Sequence, residues 1–322
     1  MANILFRSPY FVTITTAGHL SAQLALTIDG TLRYTILKNA ISNRTVFEIA
    51  TLVRDYFEEN FVGTTIIADT LAISYVVTTY TAVDGGGVAS AQGAVTHTGF
   101  NGYGKFGQGV NYELPTSQDP TYVGDCELTR VPVGDGIIYL PDNTAGKLIG
   151  WTDDTTPVLA VFNIGTTDTS VDTPMRTYNV ERVCNPKYTS IKSVYLNRYG
   201  MWQEFYFFLK SVESFTTKEE KFKRNIFREA TSNYSIYRHQ TKVFDKNART
   251  KLILNTHYID ECYNEVIQDI MLSEFVYINF DGAWRTVNIS TSSLTFKTSV
   301  NDRLIQYTIE VEYANEVINT IV

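Results

Sequence analysis

Ile259-Asp-Glu-Cys-Tyr-Asn-Glu-Val-Ile-Gln-Asp-Ile-Met271 decides how this chain is read. Its apolar positions, Ile259, Cys262, Tyr263, Val266, Ile267, Ile270 and Met271, follow the i, i+3, i+4, i+7 spacing of one buried helical face. Asn255 or Thr256 is placed to cap such a helix. Asp260 and Glu261 would lie in its first turn, where the helix dipole favours negative charge. After Ser273 the period changes to two. Phe275–Phe280 reads as a strand, Asp281-Gly282 as a hairpin turn, and Trp284–Ile289 as the returning strand. Leu294–Thr298 and Leu304–Tyr313 continue as strands, with Asn301-Asp302 turning between them. One helix near 257–273 laid on a β-meander is the expected plan of the C-terminal third.

Working back toward the N-terminus, the same plan recurs. Phe11–Thr15 alternates as a strand. Ala22–Ile28 and Leu32–Leu37 flank Asp29-Gly30 as a hairpin. Thr45-Val-Phe-Glu48 reads as a capping box, followed by the apolar stripe Ile49, Leu52, Val53, Tyr56 and Phe57, so a helix is expected near 46–59. Ile66–Val83 is rich in β-branched residues and Tyr and reads as one long strand or a pair; Val88–Thr98 fits strand or helix equally. Gly99-Phe-Asn-Gly-Tyr-Gly-Lys-Phe-Gly-Gln-Gly109 is a permissive loop whose rings, Phe100, Tyr103 and Phe106, need somewhere to dock. Short strands are expected at 136–140, 147–151 and 157–164, and the Thr/Ser/Asp-rich 166–174 segment as a boundary. A further hairpin is expected around Asn197-Arg-Tyr-Gly200, and a strand within 242–254. The fold class is mainly β (α+β): two β-rich domains, 1–172 and 173–322, each with strands packed on one amphipathic helix.

Composition narrows the function classes. The 322 residues are 44% hydrophobic and 19% charged, enough to bury a core. Tyr (21) and Phe (18) together favour sheet and interface roles. A net charge of −7 argues against a protein that coats nucleic acid or an anionic membrane. That charge is unevenly distributed: residues 185–254 hold 14 Lys/Arg against 6 Asp/Glu, so the remainder carries about −15. Lys221, Lys223, Arg224 and Arg228 form the centre of the basic stretch. It reads as an electrostatic dock for an acidic surface, such as another copy, as a nucleic-acid contact, or as a solvated strand or loop edge whose lysines discourage wrong pairing.

Cys126, Cys184 and Cys262 are sparse and odd in number; Cys262 is expected in the helix core, and a reducing compartment is the simplest reading. Met1–Arg7 lacks a charged segment leading into an apolar run, and no stretch of about 18 apolar residues occurs. Neither a secretory signal nor a membrane-spanning helix is expected.

Catalytic signatures are weak throughout. The 99–109 loop lacks Gly-Lys-Ser/Thr and a following helix to hold phosphate. His19, His97, His239 and His257 are scattered without metal-ligand spacing. The pairs Asp153-Asp154, Glu219-Glu220 and Asp260-Glu261 are sequence neighbours, which on a strand point to opposite faces and do not flank a cleft. No catalytic, cofactor or metal residues are assigned, and a non-enzyme is expected.

Ser190-Ile-Lys-Ser-Val-Tyr-Leu-Asn-Arg-Tyr-Gly-Met-Trp202 followed by Phe205-Tyr-Phe-Phe208 resembles a hairpin of tailed-phage virion proteins. Leu254-Asn-Thr256, Ile270–Tyr277, Leu304–Glu310, Arg7-Ser-Pro-Tyr10 and Phe47–Tyr56 are similar to the same group. The resemblance covers about half the chain and implies a structural component of the tail, baseplate or neck. Such a protein is made in the host cytoplasm and built into a multi-copy ring with other virion proteins. Phe100, Tyr103, Phe106, Lys221, Lys223, Arg224 and Arg228 are the expected interface residues. The alternatives are a tail-tip protein binding a host surface glycan and a cell-wall hydrolase.

Overall fold

The computed structural model describes residues 2–58, 70–114, 128–132, 137–140, 147–150, 159–162, 176–183, 187–200, 202–225, 227–228, 233–234, 236–298 and 305–318. Among these the chain is mostly strand, a mainly β fold with several sheets. It divides into two compact units that interleave in sequence. The first is Met1–Asn185, Val194–Phe205 and Cys262–Glu274; the second is Pro186–Ser193, Tyr206–Glu261 and Phe275–Val322. The units do not follow a single cut near residue 172: residues 173–185, Val194–Phe205 and Cys262–Glu274, the last holding the C-terminal helix, group with the N-terminal part.

In the first unit, β1 (Ala2–Leu5), β2 (Phe11–Ile14), β3 (Ser21–Ile28), β4 (Thr31–Asn39), β5 (Thr45–Glu48), β6 (Thr70–Tyr80), β7 (Ala89–Ala91), β8 (Val95–Phe100) and β9 (Glu113–Leu114) carry the main core. One sheet runs β4-β3-β6-β8-β1-β9, with β7 added on β6. Ala22, Leu24, Leu26 and Ile28 alternate inward from β3. The β3–β4 turn has Asp29 at φ 49° and Gly30 at φ 75°, the paired positive angles that the Asp-Gly signal announces. The ambiguous 88–98 segment is strand.

The expected helix near 46–59 is mostly absent. Thr45–Glu48 is a strand paired with β2 in the register Phe11↔Glu48 to Ile14↔Thr45, and α1 is only Ala50–Arg54. The capping-box reading fails because Thr45 Oγ1 is engaged by His19 Nε2 at 3.0 Å. Glu48 does cap, accepting from the Ala50 and Thr51 amides at 2.9 and 3.3 Å. The apolar stripe is real: Phe47, Ile49 and Val53 are all fully buried in the core with Leu24 and Leu26. A residue after a strand and a residue in a helix's first turn can bury equally well, so apolar spacing alone misplaced the start.

Short pairings follow. β11 (Ile137–Leu140), β12 (Lys147–Gly150) and β13 (Leu159–Phe162) match the short strands expected there, while β10 (Leu128–Pro132) was not read from the sequence; β14 (Arg176–Val183) follows. β14 pairs β10 in parallel and β13 in antiparallel, and β11 pairs β12. The 166–174 boundary lies outside the described residues. β15 (Ile191–Leu196) and β16 (Trp202–Phe207) flank Asn197–Gly200, the hairpin read from sequence.

The second unit contains β17 (Val212–Lys223), β18 (Phe227–Arg228), β19 (Asn233–Tyr234) and β20 (Thr241–Asn255). After α2 (Tyr263–Leu272), which belongs to the first unit, come β21 (Val276–Phe280), β22 (Ala283–Ile289) and β23 (Thr308–Tyr313). Its sheet runs β21-β22-β23-β20-β17, antiparallel at each step. Asp281 (φ 52°) and Gly282 (φ 76°) make the β21–β22 turn. The 294–298 segment, expected as strand, is irregular, and Asn301-Asp302 lies outside the described residues.

Helix α2 begins at Tyr263, later than expected. Thr256 is taken by β-type pairing: its amide donates to Tyr307 O and its Oγ1 accepts from the Tyr307 amide, both at 2.9 Å. Ile259 then bridges Ile305. Tyr263, Val266, Ile267 and Ile270 form the buried face as read. Cys262 does not: it is exposed and disulfide-bonded, with its partner outside the described residues, which also overturns the expectation of unpaired, reduced thiols. Its place at the helical period is an accident of sitting one residue before the first turn.

Candidate assembly surface

The basic stretch lies on a two-stranded ribbon. β17 pairs β20 from Val212↔Ile253 to Lys223↔Thr241, whereas β23 covers β20 only from Lys251 to Asn255. The part of the ribbon from Lys218 to Lys223 and Thr241 to Lys246 therefore runs past the sheet, over roughly 20 Å at the usual strand rise. All twelve residues of β17 and the first six of β20 are exposed. A bulge between Glu220 and Lys221 leaves Phe244 as the extra residue opposite, 73% exposed. Phe215, Phe222 and Val243 are exposed beside it. Ionic side chains alternate with these rings: Lys218, Lys221, Lys223, Arg224, Lys242 and Lys246 against Glu219, Glu220 and Asp245. Glu219 is held by Lys221 and Lys246, whose hydrogen bonds and charges lower its pKa. Arg224 donates from Nε to His239 O at 2.8 Å, one residue past the last ribbon pair, Lys223↔Thr241. Of the four expected basic contacts, Lys221 and Lys223 are exposed on this ribbon and Arg224 is partly buried at its end. Arg228 lies in β18, and its side chain is outside the described residues.

The root of the ribbon is tied down by the segment after β23. Val317 N donates to Ala248 O at 3.0 Å, and Asn247 bonds Glu316 and the Ile318 backbone. Arg249 pairs Glu312 at 2.9 Å and Glu316 at 3.4 Å. The ribbon thus emerges from a fixed base.

The aromatic loop behaves differently from one ring to the next. Phe100 ends β8 and is buried with Leu5 and Tyr199. Tyr103 docks: its amide donates to Arg198 O at 2.7 Å and its hydroxyl to Asp269 Oδ1 of α2 at 3.2 Å. Burial raises the Tyr103 pKa, with Asp269 adding to the effect. Phe106 stands in solvent, fully exposed. Two glycines permit the docking. A Cβ on Gly102 would lie 2.4 Å from Arg198 O, and Gly200, at φ 78°, would place one 2.9 Å from Asn101 N. Sequence reading found the loop and the hairpin but not their contact, which only side-chain absence at both positions allows.

Asp269 was missed entirely. It sits on the buried face of α2, where burial pushes its carboxyl up to about 6, opposed by Arg198, Tyr103 and Lys105. The Arg198 amide donates to it at 3.5 Å. Fully buried Tyr195 lies in the same field, its hydroxyl without a partner among the described residues. His97 was also read as incidental. It is buried between the rings of Tyr10 (5.8 Å) and Tyr75 (5.7 Å), with neither ring nitrogen hydrogen-bonded among the described residues. Desolvation lowers its pKa.

Among the described residues, no three His, Cys, Asp or Glu side chains converge to hold a metal ion, and no helix is long and apolar enough to cross a membrane. The carboxyl pair Asp260-Glu261 stands ahead of α2, and Glu219-Glu220 is on the ribbon; Asp153-Asp154 lies outside the described residues. No protein-family model, curated protein or solved structure matches the chain.

Proposed function

We propose that this chain is a non-enzymatic structural protein of a tailed-phage virion, assembled in several copies into a ring of the tail, baseplate or neck. The observation that carries the assembly role is the β17–β20 ribbon. A two-stranded ribbon alone is marginally stable in water, and this one exposes Phe215, Phe222, Val243 and Phe244 along its length. Among the described residues β17 is also the last strand of its sheet, with its outer backbone edge unpaired. Such an arm is suited to lie on a neighbouring subunit, where strand addition gives affinity and the rings give specificity. The virion setting rests on the resemblance of the Ser190–Phe208 hairpin and the segments around Arg7, Leu254 and Leu304.

The basic surplus of residues 185–254 faces an acidic remainder of about −15, so a heterologous contact between copies would be charge-complementary. Light scattering on the full chain at low and high salt tests the reading. A closed oligomer that loosens with salt, and that is lost when Phe222 and Phe244 are both changed to Ser, is expected. A monomer at every salt concentration that also fails to join other virion components would overturn it.

A further inference from the structure

A second site lies away from the ribbon, in the first unit. A cavity of about 730 Å³ is lined by Arg7, Ser8, Pro9, Arg54, Tyr103, Gly104, Lys105, Phe106, Gly109, Val110 and Leu272. That volume falls within the range of small-ligand pockets. The described lining has three cations and no carboxylate. Two carboxylates stand behind it: Glu274, shared by Arg7 Nε (3.3 Å) and Arg54, and Glu265, which takes Lys105 Nζ at 2.9 Å. Arg198 and Asp269 stand close by with one charge of each sign, so among the described residues the cluster keeps a surplus of one positive charge.

Arg7 is the centre of this surplus. Its Nη2 donates to Leu272 O at 3.0 Å and its guanidinium lies 5.0 Å from the centre of the Tyr103 ring. Its Nη1 is buried with no partner among the described residues. That atom is sealed from the cavity, so an oxyanion there would meet the edge of Arg7 that stays exposed and the half-exposed guanidinium of Arg54, where charge-assisted bonds are the strong ones. Most of the remaining wall is apolar, Pro9, Val110, Leu272 and the ring of Tyr103, with Ser8 accepting from the Gly104 amide at 2.7 Å. Phe106, fully exposed, stands at the rim.

We propose that this cavity binds a carboxylate attached to an apolar body, the carboxylate on Arg7 and Arg54 and the body against Phe106 and Leu272. Such a group occurs in small aryl or alkyl acids and in a peptide with Glu or Asp beside an apolar side chain. The two guanidinium groups give planar recognition that a lysine pair would not. This proposal is independent of the assembly role.

The test is calorimetric titration of the full chain with 3-phenylpropionate, with the blocked dipeptide acetyl-Glu-Phe-amide, with 3-phenylpropanamide and with inorganic phosphate. Saturable binding of either carboxylate is expected, the tighter one identifying the source. The neutral amide should bind at least about tenfold more weakly, since it loses the charge-assisted pair. Arg54→Gln and Phe106→Ala both alter exposed side chains, so the fold should survive, and each should weaken binding by a similar factor. No saturable binding of either carboxylate, amide binding as tight as acid, or affinity unchanged in both variants would overturn the proposal. Phosphate binding as tightly as the acids would overturn the part assigned to the apolar wall.

Discussion

Two buried titratable residues give the first unit opposite responses to pH. Asp269 has its folded pKa raised to about 6, above its ordinary 3.8. The folded state therefore holds the proton more tightly than the unfolded chain. Its stabilising effect is full below about pH 4 and lost as pH rises through 6, a difference of about 3 kcal/mol at neutral pH. Asp269→Asn keeps an acceptor for Tyr103 and the Arg198 amide while removing the charge. It should raise stability at pH 8 by about 1–3 kcal/mol and leave stability at pH 4 nearly unchanged, measured by urea unfolding at both values. His97 acts the other way. Its folded pKa is lowered by desolvation, so the unfolded chain takes up the proton first. Stability is full above the ordinary His pKa of about 6.5 and is lost as pH falls below it. His97→Phe, which fits between Tyr10 and Tyr75, should flatten that acid-side loss in the same titration. Neither residue carries a sequence signature. Asp269 falls between Val266 and Ile270 as an ordinary polar position would, and only the loop and hairpin packed over α2 make it a buried acid.

At the level of elements, the contact between the 99–104 loop and the Asn197–Gly200 turn depends on two positions without a side chain. Gly102→Ala would drive a Cβ into Arg198 O and the Tyr199 backbone. It should cost about 1–3 kcal/mol in urea unfolding, as overpacking does, and free the Tyr103 hydroxyl from Asp269. The same substitution at Gly107, where nothing lies within 4 Å of a Cβ, should be nearly silent and serves as the control. α1 offers a smaller effect. Glu48 supplies its N-terminal acceptor, so Glu48→Ala should cost about 1 kcal/mol. The turns were the most legible elements. Asp29-Gly30 and Asp281-Gly282 hold the positive φ angles their dipeptides demand, because few other pairs tolerate them. Helix starts were the least legible. Thr45 and Thr256 both resemble caps, and both are consumed by strand pairing to residues far along the chain.

For the whole molecule, the ribbon is the element whose removal should separate folding from assembly. Phe222→Ser with Phe244→Ser changes two rings that are 44% and 73% exposed. Stability should move by no more than about 0.5 kcal/mol, as for surface substitutions generally. The oligomer expected from light scattering should dissociate. Reversing charge with Lys221→Glu and Lys223→Glu should slow association more than it weakens the finished contact. The effect should vanish at high salt, because exposed charges steer encounter over about a Debye length.

The sequence by itself determined the mainly β class, the two Asp-Gly hairpins, the buried face of α2 and the position of the basic stretch. These follow from side-chain period, from φ preferences and from charge count, all local properties of the chain. Tertiary structure decided which unit α2 serves, which loop rings dock and which stay in solvent, and which acid is buried. Those outcomes depend on what lies across the core from each residue. Tyr103 and Phe106 illustrate it: they lie three residues apart in one glycine-rich loop, yet one meets Asp269 on α2 and the other meets water.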